Sequence, residues 1–173
     1  MVSKVDLGLE LERVYRLADS LCSIGQVEVL AKIPYKGLEF PVLGISLGAK
    51  DRTLPTFGLF SGVHGLERIG SHLSLYYLES LVSQWSWNRE LRDRMERGRL
   101  VSIPIINPTG MFDGTRSNYQ GVDLMRNSPI EADEKALFLV GGHRISKRLP
   151  WYRGKVNEPM QHESRVLVDF VKR

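Results

Sequence analysis

Between residues 6 and 24 apolar side chains recur at three- and four-residue steps. Leu7, Leu11, Val14, Leu17, Ala18 and Leu21 then share one face of an amphipathic helix, and Gly25 is its stop signal. From residue 26 the period changes to two. Val27, Val29, Ala31 and Ile33 face one way, Tyr35-Lys36-Gly37 turns the chain, and Glu39 to Leu47 makes a second strand, so the pair predicts a β-hairpin. Ala49 to Leu54 is a polar loop. Thr56 to Ser61 is mostly apolar, ends at Gly62 and is too short for a helix, which predicts a buried strand. Helical spacing returns over 67–84, with Ile69, Leu73, Tyr76, Tyr77 and Leu81 on one broad face. Asn88 is a capping residue for a further short helix with Leu91 and Met95 inward. Leu100 to Ile106 is rich in β-branched residues and reads as a strand that stops at the turn Asn107-Pro108-Thr109-Gly110.

Residues 107–156 carry Gly, Pro, Asn and Asp throughout and read as loop. Loops longer than about 15 residues are usually functional or disordered, and this one is not of low complexity. Asn157-Glu158-Pro159 opens a last helix whose apolar face is Val166, Leu167, Phe170 and Val171. No internal repeat or dividing linker interrupts residues 1–173, which read as one domain. Helices alternating with strands predict a layered α/β fold.

Composition narrows the class. The chain is 42% hydrophobic and 25% charged, with a formal charge of +4, as in an ordinary soluble domain. Its basic residues alternate with acidic ones, as in Glu90-Leu91-Arg92-Asp93-Arg94-Met95-Glu96-Arg97. That is a solvated helix surface and not a nucleic-acid stripe. Cys22 is the only cysteine, so no internal disulfide or thiolate cluster can form. Met1 to Glu12 lack the apolar block of a secretory signal, and no stretch approaches the ~20 apolar residues of a membrane span. The expectation is a cytoplasmic protein without nucleic-acid or membrane partners.

Two local patterns carry chemistry. Ser61-Gly62-Val63-His64-Gly65-Leu66-Glu67 lies where a strand gives way to a helix, the edge of α/β sheets at which ligands bind. His64 and Glu67 are three apart, so one turn can aim both at one point. Imidazole nitrogen and carboxylate oxygen both suit zinc, at about 2.0–2.2 Å each. The same residues could instead be a loop histidine and a helix-capping glutamate. In the second pattern, Arg116-Ser117-Asn118-Tyr119-Gln120-Gly121-Val122-Asp123-Leu124-Met125-Arg126-Asn127, two arginines flank a glycine-containing loop. An arginine fork can bind a carboxylate or steady an oxyanion. Pairing of Arg116 and Arg126 with Asp113 or Asp123 on the surface is the plain alternative.

Taken together, these stretches resemble the zinc carboxypeptidase family. That family has an H-x-x-E pair after a strand, then Asn-Pro-Asp-Gly, an arginine, and a Gly-Val-Asp-Leu-Asn-Arg-Asn run. Here stand His64 to Glu67, Asn107-Pro108-Thr109-Gly110, Arg116, and Gly121 to Asn127. Tyr152-Arg153-Gly154 and Glu158-Pro159 resemble a further Tyr-x-Gly and Glu-Pro-Glu element. Gly62 to Gly65 also resembles the desuccinylase–aspartoacylase branch and the murein peptide amidases. The resemblance implies a mixed β-sheet flanked by helices, three-layer α/β/α, of which residues 1–173 are the N-terminal portion of the catalytic domain. It implies zinc held by His64 and Glu67. It implies Arg116 at the scissile carbonyl, and Arg126 with Asn127 on a substrate carboxylate. Zinc would act as Lewis acid and lower the pKa of bound water towards ~7. The implied reaction is hydrolysis of a peptide or N-acyl amino acid amide bond. The alternative is an inactive relative that binds such a ligand.

Departures from the family bear on that choice. Met125 replaces an asparagine of the run, and Ser128 to Pro150 looks like an insertion. The family's third metal ligand, a histidine on a later strand, and its later glutamate base have no counterpart before Arg173. His72, packed or at the rim of its helix, His143 in the insertion and His162 in the last helix are poor substitutes. The chain thus reads as truncated at its C-terminus. Gly44-Ile45-Ser46-Leu47-Gly48 matches a serine nucleophile elbow, but a loop follows where the elbow needs a helix, so Ser46 reads as a strand residue. Cys22 reads as packing near its helix end.

Overall fold

The computed structural model describes residues 7–130, 133, 146–148, 151–155 and 158–173. The fold is a mixed β-sheet flanked by helices in a three-layer α/β/α arrangement. In chain order the elements are α1 (Leu9–Leu21), β1 (Gly25–Tyr35), β2 (Leu38–Gly48), β3 (Thr56–Phe60), α2 (Arg68–Trp85), α3 (Arg89–Glu96), β4 (Arg99–Ile103), α4 (Pro108–Asp113) and α5 (His162–Lys172). A 3-10 turn, Leu124–Arg126, lies between α4 and α5. The sheet order is β1-β2-β4-β3. β4 runs antiparallel to β2, with Ile45 opposite Ser102, and parallel to β3, with Gly58 opposite Val101. No helix among the described residues is long and apolar enough to cross a membrane.

The described residues divide into two compact units. The first takes the chain up to Glu28, Leu43–Ser61 and Ile69–Ile105; the second takes Val29–Val42, Gly62–Arg68 and the chain from Ile106 onward. In the first, α1 buries Leu11, Val14, Leu17 and Leu21, which is the stripe that the sequence predicts. Cys22 differs from the expectation: it caps the helix C-terminus and is exposed. Gly25 begins β1 and does not stop the helix. A methyl group there would stand 2.2 Å from Leu47 Cδ2, so the position needs close packing.

The hairpin forms where predicted. Lys36 and Gly37 both have positive φ, 49° and 74°, the backbone of a tight two-residue hairpin turn. Burial along β1 is uneven: Ala31 and Ile33 are buried, whereas Val29 is exposed. β3 is a strand but not a buried one. It forms the sheet edge, and Phe57 is exposed.

α2 spans the expected residues, yet its inward face is different. Ser71, Ser74, Leu75, Leu78 and Leu81 are buried, while Ile69 is 78% exposed and Leu73, Tyr76 and Tyr77 are exposed too. Small serines allow close approach: Ser61 Oγ lies 2.8 Å from Ser74 Oγ and donates to the Pro104 carbonyl at 2.6 Å. A helix apolar on two sides leaves the choice of inward face to tertiary packing. Asn88 caps α3 as expected, accepting from Leu91 N at 3.0 Å, with Leu91 and Met95 half-buried.

In the second unit, Asn107-Pro108 opens a helix, α4, where the sequence suggests a turn. Asn107 Oδ1 accepts from Gly110 N at 2.9 Å, Pro108 takes the first helical position, and Gly114 at φ 66° ends it. α5 begins at His162, after the expected Asn157, which lies outside the described residues. Phe170 is buried, Val166 and Leu167 are half-buried, and Val171 is exposed.

Glu163 on α5 is buried and receives a hydrogen bond from Asn118 Nδ2 at 3.2 Å. Burial, opposed by its hydrogen bonds, pushes its carboxyl above the ordinary value of 4.5. A raised carboxyl favours the fold most below pH 4.5 and loses that contribution as pH rises through the shifted value. Glu163→Gln keeps an acceptor for Asn118 without the charge. The variant is expected to be more stable than the parent at pH 7, with the gap closing on acidification. Urea melts between pH 4 and 8 check this; a less stable variant at pH 7 refutes it.

Candidate functional site

The loop after β3 is built by backbone ties within the second unit. Gly62, at φ 66°, turns the chain. Its carbonyl accepts from Asn107 N at 2.8 Å, and the Val63 carbonyl accepts from Asn107 Nδ2 at 3.2 Å. Glu67 N donates to the His64 carbonyl at 3.2 Å, so one turn carries both side chains. Gly65 lies directly on α4. A methyl group there would stand 1.9 Å from the Gly110 carbonyl carbon and 2.1 Å from Met111 N.

On this platform four side chains close a ring of hydrogen bonds. His64 Nδ1 lies 3.0 Å from Glu67 Oε2, and His64 Nε2 lies 3.1 Å from Asp123 Oδ1. Arg116 Nε donates to Asp123 Oδ2 at 2.9 Å, and its Nη1 donates to Glu67 Oε1 at 3.0 Å. Asp123 is 1% exposed and also accepts from Met125 N at 3.1 Å, capping the 3-10 turn. Its own N donates to the Tyr152 carbonyl at 2.8 Å. The hydrogen bond from His64, with its charge and that of Arg116, holds the Glu67 carboxyl below the ordinary carboxylate range against the opposing effect of desolvation.

The donor set suits a zinc ion in part. An imidazole can donate from both nitrogens only when it carries both protons. With Nε2 held by the buried Asp123, Nδ1 and Glu67 Oε2 are the pair that a cation could bridge in place of a proton. Zinc prefers nitrogen and carboxylate oxygen at about 2.0–2.2 Å, and at roughly tetrahedral angles two such donors stand about 3.4 Å apart. The observed 3.0 Å is close to that. A carboxylate on the far nitrogen of a metal-binding histidine fixes the ring and raises its basicity. A catalytic zinc site needs three protein ligands, and no group of three or more His, Cys, Asp or Glu able to hold a metal is found among the described residues. His72 Nε2 instead meets the buried Glu10 at 3.1 Å in the first unit. His162 is exposed at the start of α5. His143 and most of the Ser128–Pro150 stretch lie outside the described residues.

Among the residues singled out from sequence, His64, Glu67 and Arg116 meet in this ring. Arg126 ends the 3-10 turn, and its exposed guanidinium has no carboxylate partner among the described residues. Asn127 is buried. Its amide donates to the Arg153 carbonyl at 2.8 Å and accepts from Gln161 N at 2.6 Å. Asp113 binds neither arginine; Lys36 Nζ and Tyr35 Oη reach it at 2.7 and 2.5 Å. The central place of Asp123 was not legible beforehand. In sequence it reads as a surface partner for an arginine, marked by its place in the Gly121 to Asn127 run but assigned no role there. Asn107 likewise looked like a turn residue, not the staple of the His64 loop.

Comparison with known proteins bears on this arrangement. A family model described as zinc carboxypeptidase matches residues 31–173. Mouse carboxypeptidase M is 29% identical over 85 residues, covering 44% of this chain and 19% of that protein. The crystal structure of thrombin activatable fibrinolysis inhibitor superposes with a TM-score of 0.72 at 16% identity, over 94% of this chain and 43% of that one. A metallo-carboxypeptidase from Burkholderia cenocepacia gives a TM-score of 0.57 at 19% identity, over 67% of this chain and 32% of that one. The chain thus spans less than half the length of each of these relatives.

Proposed function

Because the chain belongs to the zinc carboxypeptidase family, we propose that it binds a peptide or N-acyl amino acid by its carboxylate, without itself completing a hydrolytic centre. The observation that carries this reading is the closed ring of His64, Glu67, Arg116 and Asp123, to which no third metal donor is added among the described residues. Arg126 grips the ligand's carboxylate with its exposed fork. Asn127, locked to Arg153 and Gln161, anchors the turn that presents it. Arg116, half-exposed between two carboxylates, donates to the ligand's carbonyl oxygen.

The test compares N-acetyl-L-alanine with its neutral amide. Titration of the chain at pH 7 should show binding of the acid only, and Arg126→Ala should weaken it about tenfold or more. Equal binding of acid and amide removes carboxylate recognition. With zinc supplied, the chain should turn over no N-acyl amino acid or short peptide.

A second reading is zinc-dependent amide hydrolysis, favoured by the His64 ring held between Glu67 and Asp123. His64 and Glu67 would hold the zinc. When bound, zinc supplies a Lewis acid and activates water near neutral pH. Asp123 keeps Nδ1 directed at Glu67, and Arg116 steadies the charge that develops on the carbonyl oxygen. Chelator-sensitive turnover by this chain, at about one zinc per chain, would establish this reading over the first.

A further inference from the structure

We infer that Arg116 competes with zinc for the Glu67 carboxylate, so that the residue poised to meet a ligand also sets how weakly the chain holds a metal. The inference goes beyond the carboxylate-binding reading and does not depend on it.

The ring divides each carboxylate between two partners. Glu67 presents Oε2 to His64 Nδ1 at 3.0 Å and Oε1 to Arg116 Nη1 at 3.0 Å. Asp123 presents Oδ1 to His64 Nε2 at 3.1 Å and Oδ2 to Arg116 Nε at 2.9 Å. One guanidinium thus spans both carboxylates, the two groups whose charge favours a cation beside His64. A cation bridging Nδ1 and Oε2 would share Glu67 with this positive charge and be repelled by it. A proton on the imidazole can leave as a metal binds. The guanidinium cannot shed its charge, so Arg116 yields only by moving off Glu67. Burial decides which of its two contacts gives way. The Asp123 side chain is 1% exposed and the Glu67 side chain 55%. An ion pair with an exposed carboxylate is held weakly, whereas a buried carboxylate left alone is costly. Arg116 therefore stays on Asp123 and releases Glu67.

Backbone ties put Arg116 in this place. Leu66 N donates to the Thr115 carbonyl at 3.1 Å, and Thr115 N donates to the Gly110 carbonyl at 2.8 Å. The residue before Arg116 is thereby fixed both to the His64–Glu67 turn and to α4. Asn118 N donates to the Val122 carbonyl at 3.0 Å, and Asn118 Oδ1 accepts from Val122 N at 3.1 Å. These two bonds close the loop between Arg116 and Asp123. The guanidinium reaches both carboxylates from a held backbone, so the competition is part of the fold.

A partner that merely supports a ligating side chain raises metal affinity, and its loss weakens binding about 10–100-fold. Loss of Arg116 should act in the opposite direction. Zinc competition against a chelating dye, on the whole chain at pH 7, tests this. Arg116→Gln keeps a donor without the charge and should bind zinc about tenfold tighter than the parent. Arg116→Lys keeps the charge and should stay within about threefold of the parent. Equal or weaker binding by folded Arg116→Gln overturns the competition, and weaker binding is the result that a supporting role gives. No zinc binding by Arg116→Gln overturns it too. Equal tightening in Arg116→Lys overturns charge as the cause. Should Arg116→Gln not fold, the parent chain decides. Zinc should then speed the exchange of the Arg116 Nη protons with water, followed by NMR of the arginine side chains, and unchanged or slower exchange overturns the inference.

Discussion

Replacing Asp123 by alanine is expected to destabilise the chain by about 3 kcal/mol, in the range for removing one partner of a buried ion pair. Asp123 is buried and accepts three hydrogen bonds, from His64, Arg116 and Met125 N. Its loss leaves the nearly buried imidazole without a partner on Nε2 and uncaps the 3-10 turn. Arg116 is partly exposed and recovers some solvation, which keeps the cost at the lower end. Asp123→Asn separates stability from ligand chemistry. It keeps the volume and one acceptor oxygen but no charge, so the fold should survive at a smaller cost. Zinc affinity should then fall about 10–100-fold, as when the carboxylate behind a metal-binding histidine is lost. Urea melts and competition against a chelating dye measure the two quantities. Unchanged zinc affinity in a folded Asp123→Asn chain would show that the carboxylate does not orient His64 for a metal.

Gly65→Ala is expected to cost more than about 3 kcal/mol or to abolish folding, because the added methyl meets backbone that cannot rotate away. Its carbon would lie 1.9 Å from the Gly110 carbonyl carbon and 2.1 Å from Met111 N. The His64 loop would have to lift off α4, breaking its ties to Asn107. Gly114→Ala is the control. That glycine has φ 66° and open space around it, so alanine there should cost only the left-handed backbone preference, about 1–2 kcal/mol. Comparable melting temperatures for the two variants would remove the steric argument at Gly65.

Legibility in the sequence tracked how locally each feature is determined. α1, the hairpin turn at Lys36-Gly37 and the Asn88 cap are set by neighbours in the chain, and periodicity or turn chemistry reveals them. The inward face of α2 is not local. Its exposed and buried sides are both apolar, and Ser71 and Ser74 are inside because their small side chains permit close packing. β3 is apolar but forms a sheet edge, and strand order is a long-range property that composition does not carry. α4 is not evident from sequence because Asn-Pro followed by Gly serves equally as a turn and as a helix cap with proline at its first position. At the site, His64, Glu67 and Arg116 stood out as side-chain types at suggestive spacing. Asp123 did not, because its importance comes from burial and from His64, a partner 59 residues away.

That distance has a thermodynamic consequence. Arg116 meets Glu67 across 49 residues and His64 meets Asp123 across 59. Closing such loops costs entropy in the unfolded chain, so the cluster comes into being only with the native state. A ligand or ion held there has no equivalent place to bind in the denatured ensemble. Its binding free energy therefore adds to the stability of the native state and rises with the logarithm of its concentration.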